Sequence, residues 1–282
     1  MHLKHVVFLM LCSAAFAQTE PKNVDTKTAE EKALFKQRQK TMLALSKSYT
    51  GIRASDEEKL TPMDAPLRRW TNPFLGIEHG LLVGWKDSNG RPMAVAQVYQ
   101  WPTNRRWLME HQSLSESAMT FKSPGNPSWS PKKPGIEWTK LESKAPKPAN
   151  LSRLRISQLK SIARRFRARD TNTDDPNGRD LHMIPAPSME YAVPDDGIAQ
   201  GALFTFVSGT DPDVLLMIEL RKDESKNSQS FYWAFAPMST GKLWGYLDNK
   251  QVWQYHGKSY KPTDTFYPHP LPSVNDVISE LN

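Results

Sequence analysis

Cysteine occurs once in the 282 residues, at Cys12, inside a leader that export removes. A mature chain without cysteine forms no disulfide, offers no thiol nucleophile and holds no Cys-ligated zinc or iron–sulfur centre. Also missing are a glycine-rich phosphate loop, a His-Glu-x-x-His helix, a Gly-x-Ser-x-Gly elbow and a dinucleotide fingerprint. Histidines outside the leader stand far apart, at 79, 111, 182, 256 and 269. These absences point away from the familiar enzyme classes, and we expect a non-enzymatic protein with no cofactor, no metal and no catalytic residues. The formal net charge of +7 is not spread evenly: between Asn150 and Asp170 seven Arg and Lys face a single Asp, and the remainder is nearly neutral.

Residues 1–17 have the pattern of a secretory signal: Lys4, the apolar run Val6–Leu11, then Ala15-Phe16-Ala17 before Gln18. The run is too short to span a bilayer as a permanent helix. Lipid anchoring through Cys12 is the alternative, but Leu-Met-Leu before it lacks the small residue such sites carry. Export places the protein in the periplasm, cell envelope or medium, and it argues against a nucleic-acid partner.

The strongest core signal is Gly201–Leu220, two strands around Gly209-Thr-Asp-Pro-Asp213. Leu203, Thr205 and Val207 alternate with Phe204 and Phe206, and Val214, Leu216, Ile218 and Leu220 alternate with Leu215, Met217 and Glu219. Both faces are largely apolar, which predicts a hairpin covered on two sides. Pro212 is expected in the loop, where its missing N–H breaks no ladder. An offset of 121 lays Gly80–Tyr99 on this hairpin without a gap. Over Leu60–Trp85 against Leu181–Phe206, eight of 26 pairs are identical, among them Pro73/Pro194, Gly76/Gly197, Gly80/Gly201 and Leu82/Leu203. Residue frequencies alone give about one or two, so the pattern favours an ancient tandem duplication.

In order, Thr28-Ala-Glu-Glu31 opens a helix to about Ser48. Strands follow at 81–86 and 93–99, joined through Asn89-Gly90, then at 106–113, 118–122 and 136–141. Residues 143–150 make a Pro/Lys linker. A second helix runs from about Leu151 to Arg169. Then come Leu181–Tyr191, the hairpin, and strands at 230–237, 243–247 and 251–256, before a loosely ordered Pro-rich tail. The expected fold class is α+β: two tandem pseudo-repeat units, each a helix packed on an antiparallel four- to five-stranded meander, occupying 18–142 and 151–258, with the tail at 259–282.

Glu78-His79 and Glu110-His111 have the residue types of acid/base or ligand pairs. Neighbours on a strand point to opposite faces, so each pair supplies at most one group to one site. Asp174-Asp175, Asp195-Asp196 and Asp211/Asp213 resemble paired carboxylates, but each stands beside Pro or Gly, where Asp makes turns. Arg68-Arg69-Trp70-Thr71-Asn72-Pro73 is the candidate binding segment, because Trp beside guanidinium and amide groups stacks on a sugar or clamps a carboxylate. Arg69, Trp70, Asn72 and His111 are the binding candidates; Trp70 also fits as a plug at the core edge. Arg153, Lys160, Arg164 and Arg167, on one side of the second helix, are candidates for contact with an anionic envelope polymer or lipid surface.

Pro66-Leu-Arg-Arg-Trp-Thr-Asn-Pro73, the basic helix Leu154–Ala168 and Gly201–Leu216 together resemble a family of predicted secreted bacterial proteins common in planctomycetes. The resemblance covers nearly all of the mature chain. It implies export and the overall layout, and no catalytic residues. The expected role is an exported cell-envelope binding or structural module, with a surface-acting hydrolase carrying a site near the first unit as the alternative.

Overall fold

The computed structural model describes residues 28–171, 178–223, 228–257, 260–271 and 274. The first half contains helix α1 (Ala29–Ser48) and strands β1 (Thr50–Arg53), β2 (Lys59–Pro62), β3 (Arg68–Asn72), β4 (Ile77–Lys86), β5 (Pro92–Gln100), β6 (Trp107–Ser113), β7 (Met119–Lys122) and β8 (Thr139–Lys140). The second half contains helix α2 (Ser152–Ala163) and strands β9 (Phe166–Asp170), β10 (Arg179–Met183), β11 (Met189–Val193), β12 (Ile198–Ser208), β13 (Asp211–Asp223), β14 (Ser228–Pro237), β15 (Lys242–Leu247), β16 (Lys250–His256) and β17 (Phe266–Leu271).

This is a mostly-β protein of two curled antiparallel sheets, which corrects the expected α+β pair of helix-on-meander units. One sheet has the order β17-β6-β5-β4-β2-β1-β7 and the other β16-β15-β9-β10-β12-β13-β14-β8, with β3 added to β4 and β11 to β12. Short strands carrying one or two apolar residues fill out each sheet, and such strands leave little periodic signal. The halves also trade strands: Phe266–Leu271, in the Pro-rich tail, pairs with β6, and Thr139–Lys140 pairs with β14.

Alternation explains the two apolar faces of the long strands. Val214, Leu216, Ile218 and Leu220 of β13 point into a core shared with α2, while Leu215 and Met217 point toward the other sheet. On β4, Leu81, Val83 and Trp85 face the core beneath α1, and Leu82 meets Leu203, Leu215 and Met217 in the layer between the sheets. That layer also holds an ionic cluster. Glu219, fully buried, accepts from Arg91 Nε (3.1 Å), Arg221 Nε (2.6 Å) and Tyr191 Oη (2.6 Å), which ties the first sheet's hairpin to the second sheet.

The strand orders β6-β5-β4-β2-β1 and β14-β13-β12-β10-β9 run in step. β3 and β11, and the single 3-10 turns after them (Pro73–Leu75 and Pro194–Asp196), stand 121 residues apart. In each, the sheet approaches an aromatic ring over a glycine: a Cβ at Gly80 would lie 2.1 Å from the Trp70 ring, and one at Gly201 2.4 Å from the Tyr191 ring. The ungapped alignment does not survive the turn. Gly80 pairs with Tyr99 but Gly201 with Glu219, a shift of one residue. Both hairpins carry an irregularity at the equivalent place, Trp85/Lys86 and Phe206/Val207, so the shift falls in the turn: residues 87–91 separate Lys86 from Pro92, and only 208–211 separate Val207 from Pro212, which belongs to β13 rather than to a loop. A bulge is one of the few places a sheet accepts proline.

Helix α2 stops at Ala163, short of the expected Arg169. Phe166, Ala168 and Asp170 alternate inward with Arg167 and Arg169 outward, so this stretch is strand β9, paired with β10 and β15.

Candidate functional site

Strand β3 of the first sheet meets the β12–β13 turn of the second at one end of the inter-sheet layer. Thr210 Oγ1 accepts from Thr71 N (2.8 Å) and donates to Thr71 O (2.8 Å), joining β3 to the β12–β13 turn. Beside this clip lies a cavity of about 340 Å³. Its apolar wall comes from the first sheet: Trp70, Ile77, Tyr99 and Trp101 form a small cluster, with Trp70 and Tyr99 edge to face at 5.2 Å. Phe74, on the 3-10 turn, stands at the lip, 86% exposed.

The polar wall is carboxylate-rich. Glu110 of β6 accepts from Tyr99 Oη (2.8 Å). Asp211 of β13 accepts from Asn72 Nδ2 (2.9 Å), and the same Asn72 caps the 3-10 turn by accepting from Leu75 N. Gln97 Nε2 donates to Pro212 O (2.6 Å) and Met238 O (3.0 Å), which fixes its amide orientation. Asp213 Oδ2 and Gln97 Oε1 are buried acceptors, and Trp70 Nε1 a buried donor, with no hydrogen-bond partner among the described residues. Arg179 is the one cation among the described lining residues, and it is held bidentate on Asp170 (2.9 Å from each end of the fork).

Burial dominates the titration of these acids, because desolvation disfavours the charged form. It raises Glu110 to about 8, with Asp211 adding to the rise and the Tyr99 hydrogen bond opposing it. It raises Asp211 to about 7 against the Asn72 donor and Arg179. Asp213 is pushed well above the usual carboxylate range by burial, then by Asp211 and Asp170. Among the described residues, no three His, Cys, Asp or Glu converge closely enough to hold a metal ion.

Of the binding candidates, Trp70 and Asn72 line this cavity. Arg69 does not: it lies exposed on the outer side, over the Phe35 ring at 5.5 Å. His111 does not either. It is fully buried in the core under the first sheet, stacked on Trp129 at 4.9 Å, and its Nδ1 is 3.2 Å from His269 Nε2 rather than near a carboxylate. Burial holds His111 well below the usual imidazole value and lowers His269 to about 4. Glu110 and His111 thus split between the two faces of β6, as strand neighbours must. The other acidic-histidine pair borders an outer hollow of about 220 Å³, where Glu78 is paired with Arg38 (2.6 Å).

The basic candidates do not share one helix face. Arg153 is exposed on the first turn of α2, Arg164 follows the helix, and Arg167 lies on β9. Lys160 is 3.4 Å from Glu190, and Arg167 is 3.0 Å from Asp180. Asp174-Asp175 lie outside the described residues. Asp211 and Asp213 are strand residues, not turn residues. Their signal was available: Asp213, Leu215, Met217 and Glu219 alternate along β13, which puts a carboxyl group on an otherwise apolar inward face. Arg179, Gln97 and Tyr99 carried no such mark, since only the strand pairing brings them to one cavity.

Comparison of the chain with protein-family models, curated proteins and solved structures finds no match.

Proposed function

We propose that this is an exported binding protein whose ligand site is the cavity between the two sheets. One observation carries the reading: an aromatic wall faces the buried Asp213 and the half-buried Glu110 and Asp211, and two acceptors there have no partner among the described residues. Native chains satisfy nearly all buried polar groups, so unmatched acceptors in a walled cavity favour a bound donor. A ligand-observed NMR screen of small fragments tests it, using wild type and Thr240→Trp, which places an indole at the cavity mouth. Hits that vanish in the variant while its thermal transition is kept support the site; hits untouched by the substitution, or none, reject it.

A hydrolase is the second reading, favoured by Glu110, an acid that keeps its proton near neutral pH inside an aromatic-walled cavity. Acid–base catalysis wants two groups whose pKa values are pushed apart. Here Glu110, Asp211 and Asp213 are all pushed the same way, which favours binding.

Export is part of the proposal and rests on residues 1–17. N-terminal sequencing of the mature protein should start near Gln18; an intact Met1 removes it. The likeness to secreted planctomycete-type proteins and the anionic-surface role of Arg153, Lys160, Arg164 and Arg167 stay with this proposal as its wider setting. We also propose that the two sheets derive from one duplicated ancestor, supported by their matched strand order and the Trp70/Gly80 and Tyr191/Gly201 contacts.

A further inference from the structure

We infer that the inter-sheet cavity accepts an organic cation with N–H donors, an ammonium or guanidinium group carried on an apolar body. This deepens the binding reading above and rests on it. Glu110, Asp211 and Asp213 line the cavity, and Arg179, the one cation among the described lining residues, already spends its fork on Asp170. Carboxyl groups out of water either keep their protons or gain a compensating cation, and the described residues supply no further cation here.

Hydrogen bonding narrows the kind of cation. Asp213 is 5% exposed and Gln97 2%, and the unmatched atom of each is an acceptor once Asp213 is ionised, beside one unmatched donor, Trp70 Nε1. Gln97 cannot turn to offer its amide hydrogens, because Pro212 O and Met238 O take them. A ligand must therefore bring N–H donors, which an ammonium or guanidinium has and a quaternary ammonium lacks. The carboxyl groups do not converge as a metal ion requires. Opposite them, the faces and edges of Trp70, Tyr99 and Trp101 suit an apolar body and a nearby positive charge.

Binding is coupled to protons. The groups facing the site are Glu110 from β6, Asp211 and Asp213 from β13, Tyr99 from β5, Arg179 from β10 and Asp170 from β9. An alkylammonium keeps its charge to about pH 10, so affinity rises with pH across the range where Asp211 (about 7) and Glu110 (about 8) ionise, and protons are released on binding.

Calorimetric titration of the full-length mature protein with phenethylammonium, 2-phenylethanol and phenethyltrimethylammonium tests the inference. Phenethylammonium should bind at least about tenfold more tightly than either analogue, a difference of roughly 1.4 kcal/mol. Asp213→Asn and Glu110→Gln should each weaken it about as much, and Glu137→Gln, on the exposed surface, should not. Circular dichroism confirms that each variant folds; Glu110→Gln carries the test if Asp213→Asn does not. Should the alcohol or the trimethyl analogue bind equally well at the cavity, the inference falls while the binding site stands. Binding of calcium chloride that depends on Asp213, without binding of the amine, also overturns it. If none of the probes binds at tens of millimolar and the fragment screen is empty, both readings fall.

Discussion

Glu219 shows how much a single buried side chain carries here. It has no solvent contact and is ringed by Arg91, Arg221 and Tyr191. Glu219→Ala removes the buried partner of Arg91 and leaves it only the half-exposed Glu116 at 3.1 Å, so urea denaturation should show a loss of about 3 kcal/mol. Leu82 and Leu203 are both fully buried in the layer between the sheets. Each Leu→Ala change should cost about 2–5 kcal/mol, and similar losses are expected because their surroundings match. Gly80 and Gly201 matter for space. Alanine at Gly80 drives the Trp70 ring out of its seat, and alanine at Gly201 strains the Tyr191 contact with Glu219, so each should cost about 1–3 kcal/mol. An unchanged denaturation midpoint for either would show that the ring gives way freely.

At the scale of elements, the instructive segment is Phe166–Asp170. Read at a 3.6-residue period, Ile156, Leu159, Ile162, Ala163 and Phe166 continue one helix stripe. Read at period 2, Phe166, Ala168 and Asp170 make one strand face. Both patterns are present in the sequence, and pairing on both sides, with β10 and β15, selects the strand. Ala168→Pro should therefore cost about 3 kcal/mol or more by breaking a central ladder. Arg167→Ala, on the exposed side, should stay within about 1 kcal/mol despite losing its ion pair with Asp180. Comparable losses at the two positions would argue against the strand. The hairpins, by contrast, were legible. Asn89-Gly90 lies in its turn, though as the second half of Asp87–Gly90, closed by Gly90 N on Asp87 O with Gly90 at φ +91°, and Asp248 and Asn249 both take the positive φ (+48° and +67°) that a two-residue hairpin loop asks for. Their turn chemistry is local, so sequence neighbours suffice to specify it.

For the whole molecule, pH reports on two opposed sets of buried groups. Glu110, Asp211 and Asp213 have folded-state values raised above those of the unfolded chain. Their stabilising contribution is complete below about pH 4 and is lost as pH rises through about 7 and 8. His111 and His269 are lowered, so their contribution is complete above about pH 6.5 and is lost as pH falls toward about 4. Between these values the two sets oppose each other. Above about pH 6.5 the carboxyl groups act alone, and stability should decline by up to about 1.4 kcal/mol per pH unit for each proton released. Denaturation curves across this range should show that decline in wild type and a shallower one in Glu110→Gln. A pH-independent midpoint from 6.5 to 8.5 would mean the cavity acids are not held protonated.

The sequence by itself determined what depends on near neighbours: the first helix, the long central strands with their two apolar faces, the tight turns, and the likeness between Leu60–Trp85 and Leu181–Phe206. Tertiary structure decided the rest. Short strands such as β1, β2, β9 and β10 bury too little apolar surface to announce themselves; β2 and β10 form on the edges of the long β4 and β12, and β1 and β9 then pair with them. It also decided which polar residues share a site. Asn72, Gln97, Glu110, Arg179, Asp211 and Asp213 come from five strands in two sheets, and the distances that matter among them are fixed by packing across the inter-sheet layer. Desolvation of a carboxyl group is a property of that layer as a whole, and no local pattern of residues encodes it.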